Sequence, residues 1–517
     1  MRKPSADRPT TYCAPASRNW VLAATILASS MAFIDSTVVN VALAALQADL
    51  NASVPDVQWV VEAYALFLSA LILVGGSLGD HLGRRRVFLL GVTIFTGASA
   101  WCGLAGDIRQ LVAARAVQGI GAALLVPGSL AIISSSFREE ERGRAIGTWS
   151  GFSAITAAIG PVLGGWLVDH VSWRAVFFLN VPIAMAVIAI SLRHVPDTAA
   201  RRTERIDWLG AAAAALSLGS LVFGLIESTR LGFRHPAVFG SIAIGVAGFA
   251  GFLVFESRIR NPMFPLQLFR ARTFTGANLL TLFLYSALSG TMFFLPLNLI
   301  QVQRYTPTEA GAALLPFILL MFVLSRWSGG LVHRYGARLP LVIGPIIAAA
   351  AFVLFAAPGV AGSYWLTFFP AVVVLGIGMA VSVAPLTTTV MTAVSEARAG
   401  IASGVNNAVA RTAGLLAVAV LGIVMLQSFN RAFDSRLPAL QLPSEVRESL
   451  LAQRSKLAGA DASVAPPALR GALRQAIDGS FIDAFRRVMF VGAGLAVASA
   501  LTALVLIRSN EAKTPSA

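Results

Sequence analysis

Gly76-Ser-Leu-Gly-Asp-His-Leu-Gly-Arg-Arg-Arg86 sets one acid and three arginines in the short link between two apolar stretches, each long enough to span a bilayer. The skeleton returns as Gly329-Gly-Leu-Val-His-Arg-Tyr-Gly-Ala-Arg338. There Gly329 matches Gly76, Leu331 matches Leu78, Gly336 matches Gly83 and Arg338 matches Arg85, while His333 replaces the acid. A repeat displaced by 253 residues (Gly76 to Gly329) implies two related membrane halves, the construction of many secondary transporters.

Composition agrees. Of the 517 residues 56% are hydrophobic and 13% charged, and the mean hydropathy is +0.74, too apolar for a soluble chain of this length. The net charge of +15 reads as loop arginines facing anionic lipid. Membrane lipid is therefore an expected partner and nucleic acid is not. Cys13 lies in the basic N-terminal tail and Cys102 in an apolar span, which leaves no disulfide framework. Lys3, Lys456 and Lys513 are the only lysines, and none closes a Gly-x-x-x-x-Gly-Lys loop, so an ATP-driven motor within this chain is excluded. His81, His170, His194, His235 and His333 are scattered over loops and form no metal or hydrolytic cluster. No cofactor, metal or enzymatic activity is expected, and the energy must come from an ion gradient or a partner.

Apolar runs predict fourteen helices, near 20–46, 57–79, 87–106, 110–133, 144–169, 174–193, 207–227, 236–256, 273–302, 309–329, 339–358, 364–390, 400–427 and 486–507. The first follows Arg2, Lys3, Arg8 and Arg18, but it is longer than a signal h-region and lacks a good cleavage site, so it is expected to stay attached. With the N-terminus inside, the short outer loops carry only Arg109, Arg174, Arg230, Arg234 and Arg304, which places both termini in the cytoplasm of an inner-membrane protein. The expected division is a tail 1–19, six helices in 20–193, linkers with two added helices in 194–272, six helices in 273–507 and a tail 508–517. Segment 428–485 is expected to be an external loop, either solvated or acting as a cap.

Four motifs converge. Gly76-x-Leu78-x-Asp80-x-x-Gly83-Arg84-Arg85 is similar to the loop motif between helices two and three of the major facilitator superfamily. Leu111-x-x-x-Arg115-x-x-Gln118-Gly119-x-Gly121 resembles its fourth-helix motif, and Gly160-Pro161-x-x-Gly164-Gly165 its fifth-helix antiporter motif. Asp35-Ser-Thr37-Val-Val-Asn40-Val-Ala-Leu43 resembles the first-helix signature of the fourteen-helix drug:proton antiporters. Thr156 and Ala44 depart from these patterns where glycine and proline are common. The resemblance covers essentially the whole chain and implies an all-α polytopic fold of two six-helix bundles plus two added transmembrane helices.

Depth supplies an independent argument. Asp35 lies roughly 22 Å along a helix that starts inside, whereas Glu62 and Arg115 lie roughly 8 Å into helices that start outside, so all three share a level. Ionisable groups at membrane depth are costly unless paired or facing water, and two carboxylates beside one guanidinium form a candidate proton-coupling set. Bracing by Arg115 with Gln118, and solvation of Glu62, are the structural alternatives. Gly76, Asp80, Gly83, Arg84 and Arg85 form a candidate conformational latch at the inner mouth, or else serve topology alone. Gly160, Pro161, Gly164 and Gly165 permit a close helix contact and a bend; the resemblance adds a seal that favours exchange. Asn40, Gln118, Tyr285, Asn298, Asn407 and Arg411 are candidate cavity residues, with Arg411 roughly 16 Å into its helix, where it either meets an anionic group or hydrogen-bonds its own helix.

The expected function is proton-coupled efflux of amphipathic drugs or antibiotics by alternating access, with a small amphipathic substrate and protons as partners. One alternative is a dedicated exporter of an endogenous metabolite or anionic compound. From another class come a proton-translocating subunit or a transporter-like receptor, which mid-membrane lysines or a large soluble domain would have favoured. On a periplasmic adaptor the sequence is silent.

Overall fold

A computed structural model describes residues 17–196, 207–259, 262, 264–395 and 398–508. The N-terminal tail, most of the 194–206 linker and the C-terminal tail lie outside the described residues, as do the side chains of Asp80 and His333. Fourteen helices long and apolar enough to cross a membrane occur among the described residues. The helices that carry these spans are α1 (Arg18–Asp49), α2 (Val54–Leu82), α3 (Arg84–Leu104), α4 (Ile108–Ser136), α5 (Glu139–His170), α6 (Asn180–His194, completed to a span by the preceding turn Ala175–Phe178), α7 (Trp208–Leu231), α8 (Pro236–Arg258), α9 (Arg272–Leu297), α10 (Leu315–Tyr335), α11 (Arg338–Ala356), α12 (Phe368–Thr392), α13 (Ala399–Arg436) and α14 (Pro467–Leu506).

Polar punctuation sets the helix ends. Ser53 and Asp56 form a reciprocal capping box at the start of α2, and the Asp107 carboxylate accepts from Gln110 N at the start of α4. Gly83 between α2 and α3 and Gly336 between α10 and α11 both take positive φ, +99° and +74°, a conformation that favours glycine. The two repeated loops thus turn by the same device. Helices α1 to α6 form one bundle and α9 to α14 the other, while α7 and α8 form a hairpin against α2 and α13. Leu66, Leu218, Val222 and Leu415 bury that contact.

The segment joining α13 and α14 is shorter than its hydropathy predicts. Helix α13 continues to Arg436 and α14 begins at Pro467, leaving residues 437–466 between them. Beyond the apolar run each helix keeps a one-sided apolar face: Phe429, Phe433 and Leu437 on one, Leu473, Ile477, Phe481 and Phe485 on the other, all buried. Arg436 Nη2 donates to Asp483 Oδ2 at 2.6 Å and Arg304 Nη2 to Asp478 Oδ2 at 3.0 Å. A count of continuous apolar residues misses such an amphipathic extension. The intervening segment carries a short helix, Ser444–Ala452, and reaches back across the bundles: Gln47 Nε2 donates to Lys456 O at 3.1 Å, and Lys456 Nζ to Asn51 Oδ1. Hydrogen bonds from Ser463 hold the Asp461 carboxyl there below the usual carboxylate range.

The halves meet at the end opposite the arginine-rich loops. Gln301 Nε2 donates to Gln47 Oε1 at 2.8 Å, Gln58 Nε2 to Val418 O at 2.7 Å and Thr308 N to Asp169 Oδ2 at 2.9 Å. At the arginine-rich end, Gly147 and Gly151 on α5 and Gly329 and Gly330 on α10 face open space.

Candidate functional site

Three buried side chains form the polar centre of the first bundle. Arg115 Nη1 donates to Asp35 Oδ2 at 2.5 Å and to Gln118 Oε1 at 2.8 Å, Gln118 Nε2 donates to Asp35 Oδ1 at 2.8 Å, and Arg115 Nε donates to Val60 O at 2.9 Å. Residues 115 and 118 lie one turn apart on α4, so both reach the same carboxylate on α1. The guanidinium also stands 4.3 Å from the centre of the Tyr64 ring. Asp35, Arg115 and Gln118 are each at most 1% exposed, so this ion pair is buried and satisfied by its neighbours. Bracing and pairing, alternatives for Arg115 in the sequence, occur together.

Glu62 does not join them. It is buried, yet its Oε2 has no hydrogen-bond partner, and it forms part of the wall of a cavity of about 390 Å³ between the bundles, a wall that Arg115 and Tyr64 also line. A buried carboxyl without a partner needs a proton or a cationic neighbour to stay neutral. The two acids thus differ in their partners: Asp35 is paired with Arg115 and Gln118, and Glu62 lies unpaired on the wall that Arg115 also lines.

Asn40, Tyr285, Asn407 and Arg411, all candidate cavity residues, line that cavity. Asn407 Nδ2 donates to Ser403 O at 3.1 Å, and Arg411 lies one turn further along the same face of α13, with no ion-pair partner among the described residues. Two candidates lie elsewhere. Gln118 is held behind the wall by Asp35 and Arg115, and Asn298 is buried in the wide turn Asn298–Val302 at the end of α9, where its Oδ1 accepts from Gln303 Nε2 at 3.2 Å. Both are polar groups in apolar runs, a signal that does not distinguish a cavity from a helix contact. The sequence reading missed Ser36, Tyr64 and Ser289 on the wall; Ser36 precedes Asn40 and Ser289 follows Tyr285 by one turn, so helical spacing could have found them.

The glycines of α5 lie at seams. A Cβ on Gly160 would overlap Thr37, and one on Gly164 would overlap Val38, both on α1. Gly165 meets the backbone of Pro307, while Gly311 meets that of Pro161, which fits the short helix Pro307–Ala312 of the second bundle against α5. Pro161 lines an adjoining apolar cavity of about 430 Å³ that shares Asn40 and Met292 with the first. In the repeated loop, Arg84 Nη1 donates to Ala131 O and Arg85 Nη1 to Val195 O, each at 3.0 Å. These two arginines tie the start of α3 to α4 and to the end of α6 within one bundle. Gly76 sits in ordinary contact with Pro127.

The sequence profile of the Major Facilitator Superfamily matches residues 25–418. The chain is 33% identical to the tetracenomycin C resistance and export protein of Streptomyces glaucescens, over 94% of this chain and 91% of that protein. It is 34% identical to the multidrug resistance protein Stp of Mycobacterium tuberculosis, over 84% and 80% of the two chains. Its fold is similar to that of a bacterial homologue of the human lysosomal transporter Spinster, solved in an inward-facing and unoccupied conformation, with a TM-score of 0.67, 18% identity and coverage of 95% and 98%.

Proposed function

The chain belongs to the major facilitator superfamily, and on that premise we propose that it exports small amphipathic antibiotics or drugs across the inner membrane in exchange for protons. Relatives named for antibiotic resistance and multidrug export align over nearly the whole chain, which supports drug efflux. The observation that carries the coupling is the unpartnered Glu62 carboxyl on the wall of an inter-bundle cavity, a wall also lined by Arg115, itself paired with Asp35. A proton arriving from the outside neutralises the acid on the wall; a cationic or hydrogen-bond-donating solute arriving from the cytoplasm competes for the same group. Alternating access then exposes the cavity to one side at a time. The arginine-rich end is assigned to the cytoplasm on the charge asymmetry of the loops, so the arrangement described above is closed to the outside. Gly76, Asp80, Gly83, Arg84 and Arg85 serve as the latch at the inner mouth, and the glycine-rich face of α5 as the seal between halves.

Purified protein in liposomes with an imposed pH gradient tests this reading. Wild type should accumulate a fluorescent amphipathic solute against its gradient, whereas Glu62→Gln and Asp35→Asn should retain solute binding and lose uphill transport. Gradient-driven accumulation unchanged in both variants would reject the assignment.

Arg411 favours a second reading, a dedicated exporter of an anionic compound, because it places a positive charge without an ion-pair partner on the same wall.

A further inference from the structure

Three arginines from three different helices share one niche at the arginine-rich end of the second bundle. Arg272 begins α9, Arg338 begins α11 and Arg508 follows the end of α14. Together with Leu504 to Ile507 they line a cavity of about 320 Å³. The approach is built into the packing: a Cβ on Gly276 would stand 2.7 Å from Leu506 Cβ and 3.2 Å from Ile507 Cγ1, so the glycine admits the last turn of α14 against α9 and brings Arg508 beside Arg272. None of the three arginines is in an ion pair or a side-chain hydrogen bond among the described residues, and Arg338 Nε is buried without a partner. The starts of α9 and α11 add unpaired backbone N–H groups and the positive ends of two helix dipoles. The opposing negative end of α14 is offset by Arg508 itself. Three guanidinium groups gathered in one niche repel each other unless an anion lies among them.

The surface beside the niche indicates what that anion is attached to. Leu339 and Ile343 on α11 and Leu501 and Val505 on α14 are exposed, Val505 by 73%. The charged niche thus adjoins exposed apolar side chains of the kind that acyl chains cover. A free phosphate would use the arginines and leave that face unused; an anionic phospholipid uses both.

We propose that Arg272, Arg338 and Arg508 form a binding site for the headgroup phosphate of an anionic phospholipid, whose acyl chains lie along α11 and α14. The site is separate from the inter-bundle cavity and independent of which solute is moved.

The test uses full-length protein in phosphatidylcholine nanodiscs, with phosphatidylglycerol, additional phosphatidylcholine or inorganic phosphate added. Phosphatidylglycerol should raise the unfolding temperature of wild type more than the other two. Each arginine replaced by glutamine should weaken the apparent affinity by about fivefold, as roughly 1 kcal/mol per basic residue implies, and R272Q/R338Q/R508Q should respond no more to phosphatidylglycerol than to phosphatidylcholine. An equal response to inorganic phosphate, or an undiminished phosphatidylglycerol response in the triple variant, would overturn the proposal. Should the triple variant fail to fold, a photoactivatable phosphatidylglycerol on wild type gives the second measurement: adducts on residues 272–276, 338–343 or 501–508 support the site, and adducts confined to other helices refute it.

Discussion

Asp35 accepts hydrogen bonds from both Arg115 and Gln118 in a buried environment, so removing its charge leaves a buried guanidinium without a counterion. Loss of one partner of such a pair costs about 3–5 kcal/mol, whereas replacing both by neutral groups costs far less. Asp35→Asn should therefore lower thermal stability more than Asp35→Asn combined with Arg115→Gln, with transport absent from both; calorimetry in detergent checks the order. Arg411 calls for a different measurement, since its charge faces the cavity. If the cargo is a lipophilic cation, Arg411→Ala should spare or improve its transport, and if the cargo is anionic the same change should raise the apparent KM several-fold. A neutral solute run alongside separates recognition from structure, because equal loss for all three would return Arg411 to a helix-bracing role. Depth along the helices identifies Asp35, Arg115 and Arg411 from sequence. It does not foresee that Glu62 stays unpaired, because helix rotation and axial offset between neighbours are absent from a one-dimensional count.

At the scale of elements, the glycines of α5 separate into two kinds. Gly160 and Gly164 admit side chains of α1 within the same bundle, whereas Gly165 and Gly311 admit backbone across the junction of the two bundles. Side chains yield more readily than backbone. Gly164→Val should destabilise the first bundle by about 1–3 kcal/mol, the usual cost of overpacking. Gly165→Ala and Gly311→Ala should instead wedge the bundles apart, since the Pro307 and Pro161 carbonyls cannot rotate away. Spin labels placed across that seam should report a longer mean distance in both variants, with export reduced; an unchanged distance distribution would show that the seam tolerates a methyl group. The small-residue pattern of α5 was legible in the sequence, but its division into an internal and an inter-bundle face depends on which helix lies opposite each glycine. The lengthened ends of α13 and α14 make the same point, because their apolar residues fall on one face only and bury against each other.

For the molecule as a whole, alternating access requires the contacts joining the bundles at one end to part while the other end closes. Gln47 with Gln301 and Asp169 with Thr308 are those contacts on the closed side. Asp80→Asn, at the proposed latch, should change the balance between the two arrangements without removing a substrate contact. Distances between spin labels across the arginine-rich mouth should shift, and identical distributions in wild type and variant would leave Asp80 a topology residue. The number of spanning helices, the two related halves and their joining loops followed from the sequence alone, because a bilayer demands about 20 apolar residues per span and the repeated loop motif returns with Gly336 in the place of Gly83. Which polar groups pair, which face the cavity and how residues 437–466 cross the seam opposite the arginine-rich loops were decided only by tertiary structure. Hydropathy measures how strongly a residue avoids water, and it carries no information on which neighbour a helix presents to it.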